Sequence, residues 1–332
     1  MAKNTILRTF LLRFKQFGGI KVLLAYTQMG ALWPIAKVII RHPFNRKSYR
    51  RAYSEGLQKV EPFLRKKYAP FMQQRKAHYA ELDLENTRNN TVWFCWLQGL
   101  NTAPKLVKVC FKSLHKNLKD RDIKVVDEKN WREYVDLPDY IIQKWERRVI
   151  PPALFSDLLR LQLLINYGGT WIDASVLCTG MTPENEKETK SYLDTDLFVF
   201  QYARPGVKEW NGISNWFITS CTNNKVLMVL RDMLMEYWKE YDYTLDYYVF
   251  HLFFDMLRSE YPEEITAMPY GYSMRSLALM FNMDKTFDQE KWDKHTSRVC
   301  FHKLAYSVRN DVVAKEGNYF HYIVDEYLVK NS

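Results

Sequence analysis

Apolar and polar positions follow two periods along the chain. Ile6, Leu7, Phe10, Leu11, Phe14 and Phe17 fall within one sector at about 100° per residue, with Arg8 and Lys15 on the opposite side, which predicts an amphipathic helix. Residues 20–40 are apolar but broken by Lys21, Gln28, Gly30, Pro34 and Lys37. A spanning helix needs about 20 mostly apolar residues, so this stretch reads better as lying in a membrane plane, or as a helical subdomain packed on the rest of the chain. No small-residue cleavage site follows it, so it does not read as a signal peptide. Residues 49–84 continue a helical, basic pattern. The polar run Glu85-Asn86-Thr87-Arg88-Asn89-Asn90 predicts a boundary, dividing the chain into 1–88 and 89–332. No internal repeat is visible.

Beyond that boundary the pattern alternates. Residues 91–97 (TVWFCWL) predict a buried strand, 98–103 a loop, and Pro104 the first turn of a helix to about residue 116. Residues 123–126 predict a second strand, and Asn130 a short capped helix. Residues 153–167 form a strongly apolar helix with Gly168-Gly169 as its left-handed cap, followed by a strand over 170–172 that ends at Asp173. Further strands are predicted over 197–201 and 216–220, and helices over 225–241 and 246–258. This alternation predicts an α/β fold with a mostly parallel sheet covered by helices. In such sheets ligands bind beyond the carboxyl ends of the strands, so residues 96–100 and 173–175 are expected at one crevice.

Charge changes the picture next. The net charge is +10, which taken alone points to a polyanion. Residues 1–80, however, hold 17 Lys+Arg and 2 Asp+Glu, a net of +15, and the remainder holds 31 and 36, a net of −5. A nucleic-acid binder would carry its basic residues along the groove, so that class is excluded. The basic, apolar segment instead predicts attachment of residues 1–80 to an anionic membrane surface. Five Cys without a CxxC pair exclude a disulfide framework and the common zinc modules.

The candidate chemistry lies in residues 153–178, ALFSDLLRLQLLINYGGTWIDASVLC. Asp157 and Arg160 share one face of an otherwise apolar helix, as an internal ion pair or as a ligand site. Asp173 ends a strand, where a carboxylate either caps a turn or holds Mg²⁺ or Mn²⁺ together with a substrate's phosphates.

With its SDxxR helix, YGG cap and strand ending in Asp173-Ala174-Ser175, the sequence resembles the capsular polysaccharide synthesis proteins, within the family 32 group of GT-A sugar transferases. The resemblance runs from Thr91 to Leu304 and includes WFCWLQGLNTAP at 93–104. It implies a GT-A (Rossmann-like) domain, a UDP- or GDP-sugar donor, a glycan or lipid-linked acceptor, transfer with retention, and a place on the inner face of the bacterial cytoplasmic membrane. It further implies donor contacts from Trp96, Gln98, Gly99, Asp157, Arg160, Gly169, Asp173, Ala174 and Ser175. Asp157, Arg160 and Asp173 would form the reactive centre. Mn²⁺ or Mg²⁺ would be held by Asp173 and Ser175, with His302 as a late ligand. Lys303 could instead meet the diphosphate, and Asp246 and His251 could line the acceptor side. Ser175 departs from the family's second Asp and contributes no charge. That departure leaves one rival, a non-catalytic membrane-associated scaffold with a degenerate transferase fold.

Overall fold

The structure is a computed structural model that describes residues 19–41, 46–203 and 211–329. The aromatic face predicted for residues 6–17 lies outside the described residues. In chain order the elements are α1 (Ile20–Gln28), α2 (Leu32–Arg41), α3 (Arg46–Ala80), β1 (Thr91–Cys95), α4 (Lys105–Asn117), β2 (Asp122–Val126), α5 (Trp131–Tyr134), α6 (Asp139–Glu146) and α7 (Pro152–Tyr167). They continue as β3 (Gly169–Asp173), β4 (Val176–Cys178), α8 (Glu186–Leu193), β5 (Leu197–Ala203), β6 (Asn211–Ser220), α9 (Lys225–Glu240) and α10 (Val249–Arg258). The last are α11 (Pro262–Ala267), α12 (Ser273–Leu277), α13 (Gln289–Arg298), β7 (Phe301–Lys303), α14 (Asn310–Ala314) and α15 (Tyr319–Val324). No described helix is long and apolar enough to cross a membrane.

The chain packs as two compact units. One comprises residues 1–83, 137–158 and 228–260; the other comprises 84–136, 159–227 and 261–332. The boundary predicted near residue 88 therefore sits close to the start of the second unit. The N-terminal helices, however, do not stand alone, because 137–158 and 228–260 pack with them.

Within the first unit, α3 does not present its basic residues to solvent alone. Arg65 pairs with Asp255, Lys67 with Glu240, Arg75 with Asp232 at 2.5 Å and Lys76 with Glu260 at 2.9 Å. Tyr68 packs its ring 4.9 Å from Phe253. Tyr237 is fully buried; its hydroxyl donates to Tyr243 O and accepts from Leu245 N.

The second unit is built on a five-stranded sheet in the order β2-β1-β3-β6-β5. β2, β1 and β3 run parallel, as the alternation predicted, whereas β6 is antiparallel to β3 and to β5. Four of the five strands, β2, β1, β3 and β5, therefore run the same way, as expected, and β6 runs against them; only residues 204–210 separate β5 from β6, too few for the crossover that a parallel pairing needs. Every side chain of β1 is buried, and Trp93 donates its indole N–H to Gly168 O at 3.0 Å. A second, two-stranded sheet pairs β4 with β7 antiparallel, Val176 opposite Lys303 and Leu177 opposite His302. Leu177 and Leu304 anchor this ribbon in a core shared with Leu106, Cys110, Trp292 and Phe320. Neither strand was predicted. Three residues are too few to show a period of two.

Candidate active site

Two adjacent parallel strands deliver the site. β1 and β3 end side by side, Cys95 opposite Asp173, so Trp96 and Asp173 leave the sheet together at its carboxyl edge. The loop after β1 turns sharply at Gly99, whose backbone (φ 79°, ψ 147°) is one that side chains rarely allow. Gln98 of this loop is exposed and Trp96 half-buried. The Trp96 ring meets Tyr306 edge-on at 5.4 Å, and its indole N–H has no partner among the described residues.

Asp173 is held from three directions. Its Oδ1 accepts from the Trp171 indole at 2.9 Å and from Arg160 Nη2 at 3.3 Å. Its Oδ2 accepts from Lys303 Nζ at 3.0 Å. Burial disfavours its ionisation, but the nearby Lys303 and Arg160 charges outweigh that and hold the carboxyl below its ordinary range. Arg160 is itself buried, donates to Asn215 O at 2.7 Å and lies over the Trp171 ring. In this structure it helps to hold Asp173 in place.

The turn Ala174-Ser175 leads from β3 into β4, and both residues are buried. Ser175 Oγ accepts from Lys303 Nζ at 2.5 Å, and Leu304 N donates to Ser175 O at 2.8 Å. Asp173, Ser175 and Lys303 thus form one cluster, closed by residues that lie 128 and 130 positions apart in sequence.

Two sequence expectations are placed elsewhere. Gly169 begins β3, four residues from Asp173 and so about 13 Å away along an extended strand. Its left-handed φ of 92° and the closeness of Thr91 O, 2.3 Å from where a Cβ would sit, give it a packing role in joining β3 to β1 rather than a donor contact. His302 alternates with Lys303 along β7 and faces the other way, its Nε2 lying 3.2 Å from Thr179 Oγ1. It is fully buried, and desolvation, with the His295 charge adding, pushes its pKa down to about 3. It is a core histidine and does not reach Asp173.

Three further residues belong to the first unit, and all are buried: Asp157 on α7, Asp246 before α10 and His251 on α10. Asp246 Oδ1 accepts from Tyr248 N at 2.9 Å, shaping the turn into α10. The solvated or acceptor-facing surface predicted for Asp246 and His251 is therefore an interior position.

A divalent cation at Asp173 and Ser175 needs oxygen ligands. The Asp173 carboxylate already accepts from three donors, the Ser175 hydroxyl from one, and His302 points away. Among the described residues no group of three or more His, Cys, Asp or Glu is arranged to hold a metal. The side chains of this cluster do not fit a divalent ion; they fit the ammonium of Lys303. Tyr306, Asn215 and Trp171 were missed from the sequence. Tyr306 follows a strand too short to predict, Asn215 acts through its backbone, and Trp171 reads as core.

The second unit is thus a Rossmann-like α/β unit that carries a polar cluster at the carboxyl edge of its parallel strands. Residues 41–323 match the family model described as capsular polysaccharide synthesis protein, and the chain belongs to that family. The match takes in α3, so this helix is part of the family's body, whereas residues 1–40 lie outside it. Among solved structures the chain is similar to the "PaToxG Glycosyltransferase", with 14% identity over 61% of this chain and 80% of that one, and a TM-score of 0.37. The curated proteins contain no match.

Proposed function

We propose that the chain is a glycosyltransferase that moves a sugar from a UDP- or GDP-sugar to a growing surface polysaccharide or lipid-linked glycan. The observation that carries this reading is the placement of Asp173 beside Trp96 at the carboxyl edge of two parallel strands, in a member of a polysaccharide-synthesis family. Trp96 and Tyr306 offer a nucleotide base an aromatic corner. Gly99 lets the loop backbone come close to the ligand. In the transfer, the bond from the anomeric carbon to the diphosphate oxygen breaks and its electron pair leaves with the diphosphate. The acceptor hydroxyl oxygen forms the new bond on the same face, and its proton goes to the departing diphosphate. No protein nucleophile is needed, and Asp173 serves to orient the donor.

The test is donor hydrolysis and transfer by Asp173→Asn in the full chain. The amide keeps the shape and one acceptor oxygen, and the expected loss of turnover is about 100-fold or more. Full turnover in a folded variant would refute the assignment. Asp173→Ala is the poorer probe, because it also removes the acceptor that Trp171, Arg160 and Lys303 share and so perturbs the fold of the cluster as well as its chemistry.

Attachment to an anionic membrane surface narrows from residues 1–80 to residues 1–40. These carry six basic residues (Lys3, Arg8, Arg13, Lys15, Lys21 and Lys37) and no Asp or Glu. On α1 and α2, Ile20, Leu24, Trp33 and Ile40 are exposed, which suits an interfacial helix pair.

A further inference from the structure

We infer that Lys303 is the protein's own substitute for a divalent cation, its ammonium held between Asp173 and Ser175 to bind the donor's diphosphate. The inference rests on the proposed nucleotide-sugar reading and goes beyond it, because it makes the binding of the anionic donor independent of added metal.

Three observations carry it. The first is position. Lys303 Nζ lies 3.0 Å from Asp173 Oδ2 and 2.5 Å from Ser175 Oγ, the two side chains that the sequence assigned to a cation. An ammonium has three N–H donors, so two anchor it and the third is left for a phosphate oxygen. Its side chain is 21% exposed, enough for a ligand to reach.

The second is charge. Two carboxylates balance a divalent ion, whereas one carboxylate and one hydroxyl balance a single ammonium. Ser175 brings no charge and Lys303 brings one, so Asp173, Ser175 and Lys303 balance among themselves. Arg160 already supplies a further positive charge to Asp173, so a divalent ion placed here would face two like charges at close range.

The third is rigidity. β7 pairs Lys303 with Val176, and Leu304 N is bonded to Ser175 O, so the lysine's backbone is fixed to the chain that carries its anchors. This is a built position, unlike that of a mobile surface lysine.

The experiment uses the full chain, with UDP and GDP as probes and calorimetry in EDTA or with Mn²⁺ or Mg²⁺ at matched free nucleotide. At least one diphosphate is expected to bind in EDTA, with an affinity that added metal leaves unchanged. Lys303→Gln is expected to weaken it about 10- to 100-fold, the range of a charged hydrogen bond, and Lys303→Arg to restore most of it. Restoration by Arg distinguishes a charge that meets the ligand from a side chain that only packs. Wild-type binding that EDTA abolishes and Mn²⁺ restores would overturn this inference alone. So would a folded Lys303→Gln that binds as tightly as wild type. Failure of both diphosphates to bind with or without metal would overturn the donor reading, and this inference with it.

Discussion

His302 makes the stability of the second unit sensitive to acid in a calculable way. An unfolded histidine takes up a proton near its ordinary pKa of 6.5, whereas folded His302 resists it until about pH 3 because its ring is buried. Between those values the unfolded chain binds the extra proton, so stability rises with pH there. The contribution is complete above pH 6.5 and is lost progressively as pH falls toward 3. Each pH unit is worth about 1.4 kcal/mol per proton, so descending from 6.5 to 5 removes about 2 kcal/mol. Stopping at pH 5 keeps most carboxylates ionised in both states. It also makes the figure insensitive to how far below 5 the folded pKa lies. The assay is the urea midpoint at pH 7.5 and pH 5 for wild type and His302→Gln, followed by one probe. The amide can still face Thr179, so the variant is expected to lose about 1 kcal/mol at pH 7.5 and to lose about 2 kcal/mol less than wild type on acidification. Parallel pH dependences in the two proteins would show that His302 titrates normally and would refute its placement as a core residue.

Gly169→Ala is expected to destabilise the protein by about 3 kcal/mol, because its Cβ would meet the Thr91 carbonyl from a backbone conformation that alanine disfavours; an unchanged urea midpoint would count against it. Replacing both Leu24 and Trp33 by Ser in the full chain removes two exposed apolar groups. Co-sedimentation with anionic vesicles is then expected to weaken about tenfold or more with the fold intact, and unchanged sedimentation would remove α1 and α2 from membrane attachment.

What the sequence revealed and what it hid follow from distance along the chain. The run 153–173 was legible because its signals are local: a continuous apolar face sets α7, paired glycines end it, and β3 resumes at once. β1 was legible from its aromatic, β-rich run. The basic stretch 49–84 was legible as a helix but not in its pairing, because its acidic partners Asp232, Glu240, Asp255 and Glu260 arrive more than 150 residues later. Four of the eight Lys and Arg in that stretch, Arg65, Lys67, Arg75 and Lys76, are paired with these acids within the unit. The cluster at Asp173 was half legible. The carboxylate and hydroxyl are visible and Lys303 stands as an alternative to His302, but its place between them depends on β7, a three-residue strand with no pattern of its own. Residue type leaves both His302 and Lys303 open; only strand register decides between them.

That register has a further consequence for folding. Shifting β7 by one residue against β4 would turn His302 toward Asp173 and send Lys303 into the closed space beside Thr179. Burying an unpaired ammonium there carries a penalty of several kcal/mol, so the misaligned pairing is strongly disfavoured. A ribbon of only three residues per strand has few hydrogen bonds with which to specify its own alignment. The lysine supplies the missing discrimination, so the residue assigned to the donor also proofreads the fold.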